Sequence, residues 1–138
     1  MVTAMKVDGT CYCGYLTFEA EVDPDTVELC HCSDCQVLSG SAFRIVVPAT
    51  AGSFRLLSGE PATFVKTAES GNRRSQAFCP KCGTSIFSRP ADGKEGYFGL
   101  RTGCLRQRHE LVPAAQIWRR SSLPWVDHIG DIPMHETE

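Results

Sequence analysis

Three cysteine clusters dominate this chain: Cys11-Tyr12-Cys13, Cys30-His31-Cys32-Ser33-Asp34-Cys35 and Cys79-Pro80-Lys81-Cys82, with Cys104 standing apart. Four thiolates close a structural zinc site, whereas three leave a fourth position free for water or substrate. The count therefore fits one closed site and one open, reactive site, or two zinc ions per chain.

Clustered thiols also occur in disulfide frameworks, and compartment separates the two readings. The stretch Met-Val-Thr-Ala-Met-Lys-Val-Asp-Gly holds no apolar run of signal-peptide length, so the expectation is a cytoplasmic, reduced protein. Bridging Cys11 to Cys13, or Cys30 to Cys32, would also close a small strained ring.

Spacing supplies the geometry. Side chains at i and i+2 of an extended strand share a face, so Cys11 and Cys13 are expected to aim at one ion, as are Cys30 and Cys32. Tyr12 and His31 then point away. Cys79-x-x-Cys82 before Gly83 has the spacing of a zinc knuckle. Cys11 and Cys13 are the preferred partners for it, flanked by Gly9 and Gly14, which let the backbone pass close to the ion. Were Cys30 and Cys32 the partners instead, Cys35 would be stranded and Cys11/Cys13 left over. The first grouping leaves Cys30, Cys32 and Cys35 as a compact tridentate set.

The elements that must hold these thiols are short. Segments 15–22, 42–47, 54–57, 63–67, 75–78, 85–88, 97–101 and 115–119 are rich in β-branched and aromatic residues and are separated by Gly/Pro/Asn/Asp turn signals. That pattern predicts a mainly β fold. Only 33–38, opened by Ser33 and Asp34 and closed near Gly40, reads as a helical turn or two.

With 138 residues, 42% of them apolar, the chain is sized for one domain, 1–138, with a core over about 7–128 and a C-terminal tail at 129–138. A formal charge of −2 offers no footprint for nucleic acid. No stretch approaches membrane-spanning length. The sequence leaves room for a homo-oligomer.

Gly9-Thr10-Cys11-Tyr12-Cys13-Gly14, the middle cluster with Ser39-Gly40-Ser41-Ala42-Phe43, and Phe78-Cys79-Pro80-Lys81-Cys82-Gly83-Thr84 resemble the glutathione-dependent formaldehyde-activating enzyme family, as do Ile117-Trp118, Pro124-Trp125 and Ile132-Pro133. The resemblance implies the zinc-containing β-tent fold of short antiparallel strands, with Cys11, Cys13, Cys79 and Cys82 matching the structural zinc and Cys30, Cys32 and Cys35 the catalytic zinc. It departs from the family pattern at Gln36-Val37, Gly103-Cys104-Leu105-Arg106 and Gln116.

Zinc in an open thiolate site stabilises an incoming thiol as its thiolate, which can add to an aldehyde carbonyl. The expected activity is that of a carbon–sulfur lyase, forming or cleaving a thiol–aldehyde adduct such as S-hydroxymethylglutathione. Glutathione is the family's thiol, and the partners are a small-molecule thiol and an aldehyde. The alternative is a zinc-stabilised binding module without turnover. Cys30, Cys32 and Cys35 could equally hold a second structural zinc whose fourth ligand is a nearby residue such as His109 or Cys104. Cys104 otherwise reads as a small hydrophobe, Trp118 and Trp125 as core or pocket wall, and Arg73-Arg74 and Arg119-Arg120 as solvated pairs or carboxylate contacts. Asp34, His31 and His109 are acid–base candidates. A dithiol redox role for Cys79 and Cys82 lacks the βαβ pattern such motifs sit in.

Overall fold

A computed structural model describes residues 4–93 and 96–138. Met1–Thr3 of the N-terminal stretch and of the expected 1–138 domain therefore lie outside the described residues. In chain order the elements are β1 (Met5–Thr10), β2 (Thr17–Val22), β3 (Glu28–Cys30), α1 (Ser33–Ser39), β4 (Arg44–Pro48), β5 (Arg55–Ser58), β6 (Ala62–Thr67), β7 (Arg73–Phe78), β8 (Ser85–Pro90), β9 (Gly99–Arg101) and β10 (Ala115–Ile117), with 3-10 turns between several of them. The mainly β architecture is the one the composition predicts.

Two sheets form, a three-stranded one ordered β1-β2-β5 and a seven-stranded one ordered β10-β3-β4-β9-β8-β7-β6. Every pairing is antiparallel except β10 with β3, which is parallel. The strands β1 and β3 do not stand out in the sequence. Lys6, Asp8 and Gly9 obscure β1, and β3 is only three residues long.

Strand alternation explains the core. In β2, Phe18, Ala20 and Val22 are buried while Thr17, Glu19 and Glu21 face outward. From the larger sheet, Val47, Phe87 and Leu100 join the same apolar cluster. Phe54 bridges the layers, its ring centroid 5.5 Å from Phe18, 4.8 Å from Phe87 and 4.5 Å from Phe98.

Gly9 is set by close approach. A Cβ there would enter the Phe18 ring and lie 2.7 Å from the Cys104 carbonyl oxygen. Gly9→Ala should therefore cost about 2–3 kcal/mol, read as a midpoint lower by roughly 10 °C in thermal unfolding. An unchanged midpoint would show that this contact relaxes freely.

Beyond Val112 no residue is buried. Trp118 and Trp125 are 43% and 54% exposed, which corrects the core reading of both. No helix among the described residues is long and apolar enough to cross a membrane.

Candidate metal centres and their cationic cavity

The four sulfurs of Cys11, Cys13, Cys79 and Cys82 lie within 4.8 Å of one another. Cys11 Sγ is 3.6 Å from Cys13 Sγ, which is 3.8 Å from Cys79 Sγ. Four sulfurs held about 2.3 Å from a single zinc ion would be about 3.8 Å apart, so the donor set fits that metal in both chemistry and size.

Turn chemistry brings the sulfurs together. Cys11 and Cys13 were expected on a strand; instead they occupy a tight turn after β1, closed by the Gly14 N–H donating to the Cys11 carbonyl at 3.2 Å. Gly14, at φ +84°, supplies the left-handed conformation this turn needs. Tyr12 points away, 94% exposed. Across the site, Gly83 N–H donates to the Cys79 carbonyl at 2.8 Å and makes the knuckle. Thr84 links the two turns. Its hydroxyl accepts from Tyr12 N–H at 3.0 Å and lies 3.1 Å from Cys82 Sγ. Hydrogen bonding from the Thr84 hydroxyl, then from its N–H, holds the Cys82 thiol down to about 5.

A second group gathers Cys30, Cys32 and Cys35, their sulfurs likewise within 4.8 Å of one another. Cys30 ends β3. Cys32 caps α1, its sulfur accepting from Cys35 N–H at 3.3 Å, and the helix turns Cys35 back beside Cys30. Gly40, left-handed at φ +65°, stops the helix. The Cys30 thiol is the largest influence on Cys35 and the Arg44 and Arg101 charges add to it, holding Cys35 at about 5, while the same coupling pushes Cys30 up. Among the described residues, no further cysteine, histidine or carboxylate joins this set within that distance.

The other candidates lie elsewhere. His31 is fully buried between Cys30 and Cys32; its Nε2–H donates to Gln116 Oε1 at 2.8 Å, and its Nδ1 has no hydrogen-bond partner. Gln36 donates to the His31 and Ser121 carbonyls, tying α1 to the C-terminal segment. Asp34 is paired with Lys66 at 2.8 Å. His109 and Cys104 line a separate cavity of about 680 Å³. Burial pushes the Cys104 thiol up to about 11, and it donates to the Ser85 carbonyl at 3.1 Å, consistent with a packing role.

Of a group of cations in this part of the fold, the sequence pattern singles out only Arg74. The strand registers place Cys30 opposite Arg44, Val46 opposite Arg101, and Gln76 opposite Ser88. Alternation therefore puts Cys30, Arg44, Arg101, Gln76 and Arg74 on one face of the larger sheet, lining a cavity of about 160 Å³ with Cys35, Lys66 and Tyr97. Burial, then the like charge of Arg44, pulls Arg101 down to about 9, which leaves it charged at neutral pH. Gly99 allows Tyr97 to cross the sheet here, since a Cβ on it would meet Tyr97 Cε1 and Val46 Cγ2, each at 2.9 Å. The available signal was an arginine inside one apolar strand run, Phe43-Arg44-Ile45-Val46, and another at the end of a second, Gly99-Leu100-Arg101.

These features define a mainly β protein with two sulfur clusters able to hold metal ions, one of four sulfurs and one of three. Residues 6–121 match the glutathione-dependent formaldehyde-activating enzyme family, and the chain belongs to it. An uncharacterized lyase of Schizosaccharomyces pombe is 26% identical over 93 residues, 67% of this chain; the match spans 64% of that relative's length. The crystal structure of a Rhodobacter sphaeroides protein shares the fold, with a TM-score of 0.60 at 20% identity, covering 79% of this chain and 98% of that one.

Proposed function

We propose that this protein is a zinc-dependent carbon–sulfur lyase that forms or cleaves an adduct between a thiol, glutathione in the first instance, and an aldehyde such as formaldehyde. The observation that carries this reading is the three-sulfur cluster beside a cavity, with no fourth side-chain donor among the described residues. Cys11, Cys13, Cys79 and Cys82 would hold the structural zinc. Cys30, Cys32 and Cys35 would hold the catalytic one.

Zinc bound there would supply Lewis acidity that keeps an incoming sulfur deprotonated. The chain's own residues set the stage. Arg44 and Arg101 offset the negative charge of the trithiolate set, while β3 and α1 fix the three sulfurs on one side of the cavity. In the forward direction the thiol gives up its proton to water, its sulfur adds to the carbonyl carbon as the carbon–oxygen π bond opens, and the resulting oxyanion takes a proton back from water. Cleavage reverses each step. His31 is walled off by Phe43 and Gln116 and Asp34 is neutralised by Lys66, so neither is assigned the proton transfer.

The test follows adduct formation from glutathione and formaldehyde by NMR, with zinc-replete protein against buffer. Acceleration in both directions is expected. A rate equal to that of buffer, with both zinc sites loaded, would remove the lyase reading and favour a binding module.

A further inference from the structure

Four cationic side chains surround the cavity beside Cys30 and Cys35, and no carboxylate among the described residues lines it. Lys66 is engaged by Asp34. Arg44 and Arg101 are 7% and 9% exposed, yet each makes only one side-chain hydrogen bond, to the same acceptor, Gln76 Oε1, at 3.2 and 2.8 Å. The Nε atoms of both are buried without a partner. Arg74 gives one bond to Ser88 Oγ at 3.0 Å and stacks over Tyr97. A buried guanidinium without an anion carries a desolvation cost, and two sharing one neutral acceptor repel each other as well.

The sulfur cluster offsets only part of this charge. Three thiolates with a divalent ion carry one net negative charge, against three guanidinium groups in Arg44, Arg74 and Arg101. The remaining positive charge needs an anion, and the planar guanidinium fork fits a carboxylate. The cavity is smaller than the roughly 300–1,000 Å³ usual for a whole ligand, and at about 160 Å³ it takes only the end of a molecule or a very small one.

Building on the lyase reading above, we propose that this cavity is a carboxylate subsite. Arg44, Arg74 and Arg101 hold a carboxylate carried by the adduct, so the preferred substrates are anionic. Two sources share this chemistry, a carboxylate on the thiol or one on the aldehyde. Nothing in neutral formaldehyde uses the site.

Binding is measured apart from turnover by calorimetric titration of zinc-loaded protein with oxamate, a small carboxylate whose amide does not react with thiols. Saturable binding is expected, with acetamide, its neutral counterpart, failing to bind. Both Arg101→Gln and Arg74→Gln should weaken it at least tenfold. Arg74 is partly exposed, so its variant keeps the test alive if Arg101→Gln does not fold. Absence of saturation in the parent protein, or equal binding in the folded variants, overturns the subsite.

The source is read from kcat/KM for glutathione against its diethyl ester, each paired with glyoxylate and with formaldehyde. A carboxylate on the thiol predicts at least a tenfold loss on esterification. One on the aldehyde predicts at least a tenfold preference for glyoxylate. Arg74→Gln should erase whichever difference is found, and turnover showing neither difference also overturns the subsite. Oxamate binding that depends on arginine, with no turnover of any pair, would sustain the subsite and reject the lyase reading instead.

Discussion

Cys79→Ser is expected to abolish cooperative folding. Cys79 is fully buried and belongs both to the four-sulfur group and to the apolar core, so its sulfur ties the knuckle between β7 and β8 to both. Zinc held by four cysteines contributes roughly 10–16 kcal/mol of apparent binding free energy in small domains, whereas a whole domain is stable by only about 5–15 kcal/mol. Removing one sulfur from a site that holds zinc would thus threaten the entire margin. The turn at Cys11–Gly14 and the knuckle at Cys79–Gly83 come from chain segments 66 residues apart, joined by sulfur–sulfur proximity and the Thr84 hydrogen bonds. Circular dichroism and thermal unfolding of the variant should show lost near-ultraviolet signal and no sharp transition, and chelation of the parent protein should reproduce this. A variant that melts cooperatively near the parent temperature would show that packing alone holds the two turns.

The second large effect is functional. Cys35→Ser should lower the zinc content from two ions to one, measured by native mass spectrometry under reducing conditions, and drop adduct formation to the buffer rate. Cys35 sits in the first turn of α1, a seven-residue helix without a buried residue, so the core should be untouched. A thermal midpoint within a few degrees of the parent separates this outcome from the Cys79→Ser one. Two zinc ions retained in Cys35→Ser, or full activity with one, would mean that the three-sulfur cluster is not the reaction centre. The contrast between the variants is the informative quantity, because both remove a single sulfur. Only the first removes one that the core is built around.

The two replacements differ because the same residue type serves two environments. Cys11 and Cys79 share the apolar core cluster with Leu16, Ile86 and Leu105, all fully buried. Around Cys30 and Cys35 they are arginines, a glutamine and a tyrosine. An apolar surround suits a closed structural ion, and a cationic one suits a site that takes an anionic ligand. That asymmetry also explains why Arg44 and Arg101 tolerate burial: the sulfur cluster supplies part of the negative charge they lack, and Gln76 lies between them as a shared acceptor.

Much was legible from local pattern. The turn signals and β-branched runs marked eight of the ten strands, because strand pairing within a hairpin depends on short-range alternation. Ser33 to Gly40 read as a short helix because its cap and its left-handed stop are both local. Missing β1 and β3 has a physical cause. The apolar face of β1 consists of Met5, Val7 and a glycine, while β3 is held by neighbours on both sides, β4 and the parallel β10, rather than by its own composition.

For the site, sequence by itself determined which atoms are available. It fixed eight thiols, seven of them in clusters whose i+2 and i+3 spacings keep sulfurs together whatever the surrounding fold. Tertiary structure alone decided the rest. It put Cys11 and Cys13 in a turn rather than on a strand, walled His31 behind Gln116, and set His109 apart from the three-sulfur cluster. It also gathered Arg44, Arg74 and Arg101 from β4, β7 and β9 around one cavity. No local rule could reveal that last grouping, because which strands are neighbours, and in what register, is settled by how two sheets bury a shared core between residues far apart in the chain.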